Sequence, residues 1–333
     1  MNLRRATRVT AVFVVGAYSF AFGQPQPTTL TIHMENVVAY NETFKDPQSN
    51  GTAATQQSPP TGPAAFYPGT LIADVKTING VKAAGTAIQR NYMIGINPNP
   101  SGSTGIGDIA RGGLADIYLE ILQADGTTQV GTIVLTGAGP GHAPPGAPSV
   151  AAQGNFAVIG GTGAYAGARG QAATIQNSRR NTTTLENPVN RRNFDSGTWD
   201  LAVLLTPAAA PSIIMTDAGP AVAHASDGSL VTPANPAHAG ETLTLYASGL
   251  GPTNPGLNAG QPFTANPRQV ANSPIAVLVN GKPGDVLYAG GYPNTSNAYQ
   301  VNFRVPGDAV AGKGTIQVNA AWIEGTAVNI SIQ

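Results

Sequence analysis

Four histidines, His33, His142, His224 and His238, are scattered through 333 residues, and no two sit at metal-ligand spacing. There is no cysteine, which excludes a thiol nucleophile, a Cys-ligated metal and a disulfide framework. The chain carries no G-x-S-x-G elbow, H-E-x-x-H, Walker A or EF-hand loop, so conventional hydrolase and kinase chemistry has no motif. No metal and no cofactor are expected. What remains is the chemistry of an apolar, shaped pocket with a few fixed polar groups. A buried carboxylate of raised pKa serves as acid or base, and an arginine stabilises developing negative charge. Glu35, Tyr92, Tyr118, Glu120 and Arg169 are the residues suited to those roles. Tyr118 and Glu120 alternate with Ile117, Leu119 and Ile121, so they share one strand face, lumen or solvent. Tyr92 also fits ordinary core packing, and Arg169 a salt bridge that pins a bend.

The elements that must position them follow from composition. Only 10% of the chain is charged, and 41% is apolar, enough for real cores. Glycine and proline number 41 and 27, about a fifth of the chain, without the fixed period of collagen. Formal net charge is zero and interspersed, which argues against a nucleic-acid partner. The length suits two domains.

Residues 1–23 read as a signal peptide. Arg4, Arg5 and Arg8 form a positive n-region, Val9 to Phe22 is apolar, and Ala21-Phe22-Gly23 offers small residues for cleavage. Without those three arginines, 14 of the 17 basic residues remain against 17 acidic ones. The mature chain is therefore expected to be faintly acidic and secreted, at the cell surface or periplasmic.

Helical periodicity is nearly absent. Short β-branched runs alternate with Gly, Pro, Asn and Asp, the pattern of an all-β protein. Eight strands are expected in the first half, over 29–36, 71–78, 81–94, 113–122, 130–137, 155–159, 170–176 and 198–205. Asn79-Gly80 and Asp125-Gly126 read as hairpin turns, because both positions tolerate positive φ. Eight strands joined mostly by hairpins suit a closed antiparallel, calycin-like barrel, which removes exposed edges and is either filled or holds one small ligand. Residues 46–69, 97–107 and 137–150 read as long loops. The barrel domain is placed at 24–206 and a linker at 207–211. Seven further strands over 212–333 suit an immunoglobulin-like sandwich, with Asn280-Gly281 marking one hairpin.

The most distinctive string is FAVIGGTGAYAGARG, 156–170. It is not a dinucleotide fingerprint. That motif opens a helix, with its third glycine three residues after the second; here that position is Ala166, and the next segment, QAATIQ, alternates as a strand. The physical reading is two antiparallel strands joined by a glycine-dense bend.

This string resembles the signature of plant dirigent proteins, with Gly160, Gly161, Thr162 and Gly163, then Tyr165 at the aromatic position, then Ala168, Arg169 and Gly170. The opening strand LTIHMEN, the segment from Gly85 to Tyr92 and the closing strand TWDLAVLL fall in matching order, so the resemblance spans roughly residues 28–206. Dirigent proteins are similar in fold to allene oxide cyclases. The resemblance implies an eight-stranded barrel, commonly trimeric, with a ligand cavity and no cofactor. It implies a small hydrophobic or phenolic ligand, radicals supplied by a separate oxidase, and steering of their coupling or cyclisation. Arg169 and Glu35 become the catalytic candidates; Tyr92, Tyr118, Glu120 and Tyr165 the ligand-binding ones. Two departures stand out. The family's first strand carries a His-Asp pair, whereas here His33 is followed by Met34 and Glu35, a one-residue shift that points Glu35 out of the barrel. The stretch 177–196, with Arg179, Arg180, Arg191 and Arg192, is longer than the family's hairpin.

Residues 211–333 resemble an immunoglobulin-like module found at the ends of secreted acidobacterial proteins, on the strings GPAVAHASDGSLVTPANPAHAGETLTLYASGLGPTNP and AYQVNFRVP. That implies export and surface attachment or display. Two functions thus compete: a dirigent-like barrel guiding a small molecule, and a non-catalytic extracellular binding or structural protein. A hollow lumen lined by Arg169 or a carboxylate favours guidance or ligand binding in the barrel, and a lumen plugged by Leu, Ile and Phe favours a structural role.

Overall fold

The computed structural model describes residues 26–41, 65–95, 111–142, 153–183, 186–258 and 260–333. The first half forms β1 (Thr28–Asn41), β2 (Ala65–Ile78), β3 (Val81–Lys82), β4 (Ala84–Gly95), β5 (Arg111–Leu122), β6 (Gln129–His142), β7 (Gln153–Gly163), β8 (Arg169–Asn177), β9 (Arg180–Thr183) and β10 (Thr198–Thr206). Eight of these close a ring, β1-β2-β4-β5-β6-β7-β8-β10 and back to β1, with every pairing antiparallel. Closure pairs each of the eight ring strands on both sides, leaving β3 and β9 as the ends of the sheet. The short strand β9 lies outside the ring and runs parallel to the end of β1, Val38 to Asn41.

Period-two alternation sets the wall. On β5, Ala115, Ile117, Leu119 and Ile121 point inward and are buried, while Leu114, Asp116 and Tyr118 are exposed. On β10 the inward set is Trp199, Leu201, Val203 and Leu205; on β1 it is Leu30, Ile32 and Met34. The expected turns are present: Asn79 and Gly80 have φ of 51° and 75°, and Gly126 has 72°. The ladders run further than the residue pattern suggests. Residues 65–69 and 137–142, expected as loop, extend β2 and β6, because Ala65 to Gly69 pair with Gly95 to Asn91 and Ala138 and His142 pair with Asn155 and Gln153. The remainder of the expected loops, and the signal segment 1–23, lie outside the described residues.

The second half comprises β11 (Ser212–Ile213), β12 (Met215–Thr216), β13 (Gly219–Pro220), β14 (Val222–His224), β15 (Thr242–Ser248), β16 (Thr253–Asn254), β17 (Val270–Ala271), β18 (Ile275–Val279), β19 (Lys282–Pro283), β20 (Asp285–Gly291), β21 (Tyr299–Arg304), β22 (Gly312–Ala320) and β23 (Val328–Ile332). A seven-stranded sheet built on β15, β21 and β20 faces a four-stranded sheet, β19-β18-β22-β23. Leu243, Leu245, Val301 and Phe303 from the first and Val277, Ile316, Val318 and Ile330 from the second form one buried core. The chain is thus all-β, a closed barrel followed by sandwich-like sheets.

Candidate functional site

The glycine-dense string forms the corner between β7 and β8, at the end of the barrel where the tight turns lie. Residues 164–168 make a compact turn held by Tyr165 N–H to Thr162 O and Ala168 N–H to Tyr165 O, each 3.1 Å. Two glycines are required by space as well as by conformation. At Gly163 (φ 61°) a Cβ would sit 2.4 Å from the Val130 carbonyl oxygen, and at Gly170 (φ 152°) it would sit 1.9 Å from that of Leu204. Tyr165, matched to the family's aromatic position, is fully buried in the barrel core, and burial pushes its phenol well above its ordinary pKa. Its Oη donates to the carbonyl of Ala321, in the second half of the chain, at 3.2 Å. Tyr165 is therefore a floor plug that joins the two halves. Arg169 lies exposed over the bend, its Nη1 donating to the Ala168 carbonyl at 2.8 Å, and it makes no ion pair among the described residues.

Glu35, Tyr118 and Glu120 sit on the outer wall. Glu35 is exposed on β1, with Lys76 Nζ at 3.7 Å and His33 Nε2 at 3.8 Å. The carboxylate that orients His33 is Asp200, 2.6 Å from Nδ1 across the β1–β10 ladder. Residue pattern alone overlooked Asp200; its signal was its outward phase beside Trp199 and Leu201. Tyr118 is exposed on the outer face, where it stands opposite Ile88 and Val134, and Glu120 shares that face. Tyr92 takes the register position opposite Leu114 on β4, and its side chain lies outside the described residues. Among the described residues, Glu35, Tyr118, Glu120, Tyr165 and Arg169 do not converge on one chamber.

A second polar assembly lies where β1 bends. Asn36 has φ 54°, and the β1–β2 register shifts between Glu35 and Val38. Beyond the bend β9 takes the place beside β1 that β10 holds below it. A 3₁₀ helix, Pro188–Asn193, follows, its first turn capped by Asn187 Oδ1 on Val189 N–H at 3.0 Å. It delivers Arg191 and Arg192 to Asp74 on β2. Arg192 Nε and Nη2 donate to the carboxylate at 2.8 and 2.9 Å, Arg191 donates through Nε and Nη2, and Asn36 Nδ2 donates at 2.9 Å. Asp74 and Arg191 are buried. Burial alone would raise the Asp74 pKa, but the hydrogen bonds from Arg192, Arg191 and Asn36 outweigh it and hold the value at about 2. Nearby, Arg180 is paired with Glu186 and stacks over Phe194 at 4.9 Å. With five donors on one carboxylate, Asp74 has no capacity left for a substrate. It is an anchor for the strap 178–197.

The described interior is packed with apolar side chains, of which Ala115 and Phe156 are the most exposed at 5%. Leu30, Ile32, Leu71, Ala73, Ile78, Ala87, Ile117, Leu119, Ile121, Ile133, Leu135, Leu201, Val203 and Leu205 all have 0% exposure, so no water-sized space borders them. Trp199 and Phe156 pack into the same cluster, the indole Nε1 donating to Thr174 Oγ1 at 3.3 Å. Among the described residues no group of three or more His, Asp or Glu side chains converges as a cation site.

No protein-family model matches the chain, and no curated protein matches it. Two solved structures align over 93% of this chain at 11% identity: a polysaccharide lyase, with a TM-score of 0.17, and the N-terminal domain of the Streptococcus gordonii adhesin Sgo0707, with a TM-score of 0.18. The alignment takes in 40% of the lyase and 96% of the adhesin domain. At such scores neither carries weight for fold or function.

Proposed function

We propose that the chain is an exported, non-enzymatic binding protein, whose barrel is a filled scaffold and whose immunoglobulin-like half presents the binding surface. The observation that carries the non-enzymatic part of this reading is the burial of the inward side chains of the barrel wall, most of them at 0% exposure and Ala115 and Phe156 at 5%. A barrel that steers a reactive intermediate needs a chamber of a few hundred Å³ with polar groups aimed into it. Here the inward positions carry Leu, Ile, Val and Ala with Met34, Phe156 and Trp199, while Glu35 and Arg169 are both exposed to solvent. Export is supported by the positive n-region and apolar stretch of residues 1–23. No helix among the described residues is long and apolar enough to cross a membrane.

The test is stereochemical. Coniferyl alcohol is coupled by a one-electron oxidant with and without the full chain, and the products are resolved on a chiral column. The expected result is a racemic product in both arms, with no rise in the unfolding temperature at millimolar phenol. An enantiomeric excess that depends on the protein would overturn the proposal in favour of dirigent-like guidance.

A further inference from the structure

The outer face of the seven-stranded sheet carries a row of side chains that the packing of the fold does not use. Alternation on β15 and β21 sends Leu243, Leu245, Val301 and Phe303 into the core and leaves Thr244, Tyr246, Gln300 and Asn302 half-buried on the opposite face. Register then sets their neighbours. Tyr246 stands opposite Gln300, which stands opposite Gly290; Thr244 stands opposite Asn302, which stands opposite Tyr288. Tyr292, just past β20, packs edge-on against Tyr246 with ring centroids 5.2 Å apart. The two rings are fixed against each other, so their orientation costs little on binding.

The amides are also fixed. Gln300 Nε2 donates to Asn302 Oδ1 at 2.9 Å, and Thr244 Oγ1 donates to the same oxygen at 3.2 Å. That leaves the Asn302 Nδ2 donors and the Gln300 Oε1 acceptor without a protein partner among the described residues. A donor and an acceptor side by side match a pair of neighbouring hydroxyls, each of which both donates and accepts. Gly290, opposite Gln300, lets the Tyr288 ring lie over the strand: a Cβ there would meet the Gln269 carbonyl oxygen at 2.3 Å and the Tyr288 hydroxyl at 2.4 Å, so Tyr288 covers the floor on that side.

The chemistry selects among ligands. Charge lies at the margins, where Arg304 stands opposite Asp285 and Arg268 sits 5.9 Å from the Tyr288 ring centroid. The centre is neutral, so an ionic ligand gains no counter-charge there. A purely apolar ligand would strip water from the amides without replacing their hydrogen bonds. An extended peptide docks on strand edges rather than on a sheet face. A sugar ring has an apolar face for the tyrosines and hydroxyls for the amides. The geometry points to a binding site for a neutral polysaccharide across Tyr246, Tyr292, Gln300 and Asn302.

This inference rests on the binding-protein reading above, and it names the ligand class and the face. The full chain is titrated with cellohexaose, xylohexaose, maltohexaose and polygalacturonate, following side-chain amide resonances by NMR. Binding of at least one neutral hexaose is expected, with the Gln300 and Asn302 side-chain amides among the most shifted signals. Asn302→Ala and Tyr246→Ala are each expected to weaken it roughly tenfold or more. The backbone amide spectrum of each variant is expected to keep the dispersion of the wild-type chain, which separates lost binding from a variant that merely fails to fold. No binding of any neutral hexaose, binding of polygalacturonate alone, or binding indifferent to Asn302→Ala would overturn the site. Failure here with a racemic coupling product leaves the binding-protein reading standing, whereas a chiral product removes that reading itself.

Discussion

The Tyr165 hydroxyl donates to the carbonyl of Ala321 at 3.2 Å, joining the glycine corner of the barrel to the hairpin between β22 and β23. Ala321 and Trp322 both have left-handed φ, 53° and 60°, which costs roughly 1–2 kcal/mol for each non-glycine residue. The barrel holds this turn in place. Ala321 and Ile323 are buried in the barrel's own core, Ala321 N–H donates to Pro274 O at 3.1 Å, and the indole Nε1 of Trp322 is buried without a partner among the described residues. Asn272 fastens the same seam, its carbonyl accepting from Gln123 Nε2 at 2.6 Å and its Nδ2 donating to Gln129 O at 3.1 Å.

Barrel and sandwich should therefore unfold together. Calorimetry of the full chain is expected to show one transition, and Tyr165→Phe to lower stability by about 1 kcal/mol without splitting it. Two well-separated transitions in the wild-type chain would contradict the docking.

Space, rather than flexibility, dictates the corner glycine. Gly170→Ala is expected to cost more than about 3 kcal/mol, because a Cβ would lie 1.9 Å from the Leu204 carbonyl oxygen. Gly126→Ala, with φ 72° and nothing within 4 Å, is expected to cost only about 1 kcal/mol. Urea midpoints of the two variants decide the matter; equal losses would argue against the close approach.

The strap should be acid-labile. The Asp74 pKa is lowered from 3.8 to about 2, so its contribution is present above the unfolded value and is lost as pH falls from about 4 through 2. Asp74→Ala leaves Arg191 buried and uncompensated, an expected loss of about 3 kcal/mol or more. Arg192→Ala, at a half-exposed partner, should cost about 1 kcal/mol or less. Urea unfolding at neutral pH ranks the two variants, and limited proteolysis of 178–197 against pH follows the release of the strap.

The second half should carry the opposite dependence. His224 is buried, which pushes its pKa down, yet the hydrogen bond to Glu241 and that to the Asn235 carbonyl outweigh burial and raise it above 6.5. A raised value means stabilisation that is complete below 6.5 and lost as pH rises through the folded value. His224→Ala is expected to be most destabilising at pH 5.5 and less so at pH 9 in urea titrations. A penalty that grows with pH would reverse the assignment.

Strand phase was readable from residue order, because Ile117, Leu119 and Ile121 repeat at the pleat's own period. The glycine bend was readable too, since Gly160, Gly161, Gly163, Gly167 and Gly170 cluster between two alternating runs; which neighbours crowd them was not. Which side of the wall faces inward was not, since alternation places Tyr118 and Glu120 on one face without saying which face the ring encloses. Partners brought together by closure were also hidden. Asp200 is 167 residues from His33, Arg191 is 117 from Asp74, and Ala321 is 156 from Tyr165. No local pattern records such pairs; they follow from the register of the closing strand and from how the halves dock.

Xenon distinguishes a filled barrel from a hollow one, because it enters dry apolar cavities. In crystals of the full chain held under xenon pressure, a filled barrel predicts no xenon peak among Leu30, Ile32, Leu119, Ile133 and Leu201. A well-occupied peak there would show an open chamber and contradict the scaffold role assigned to the barrel.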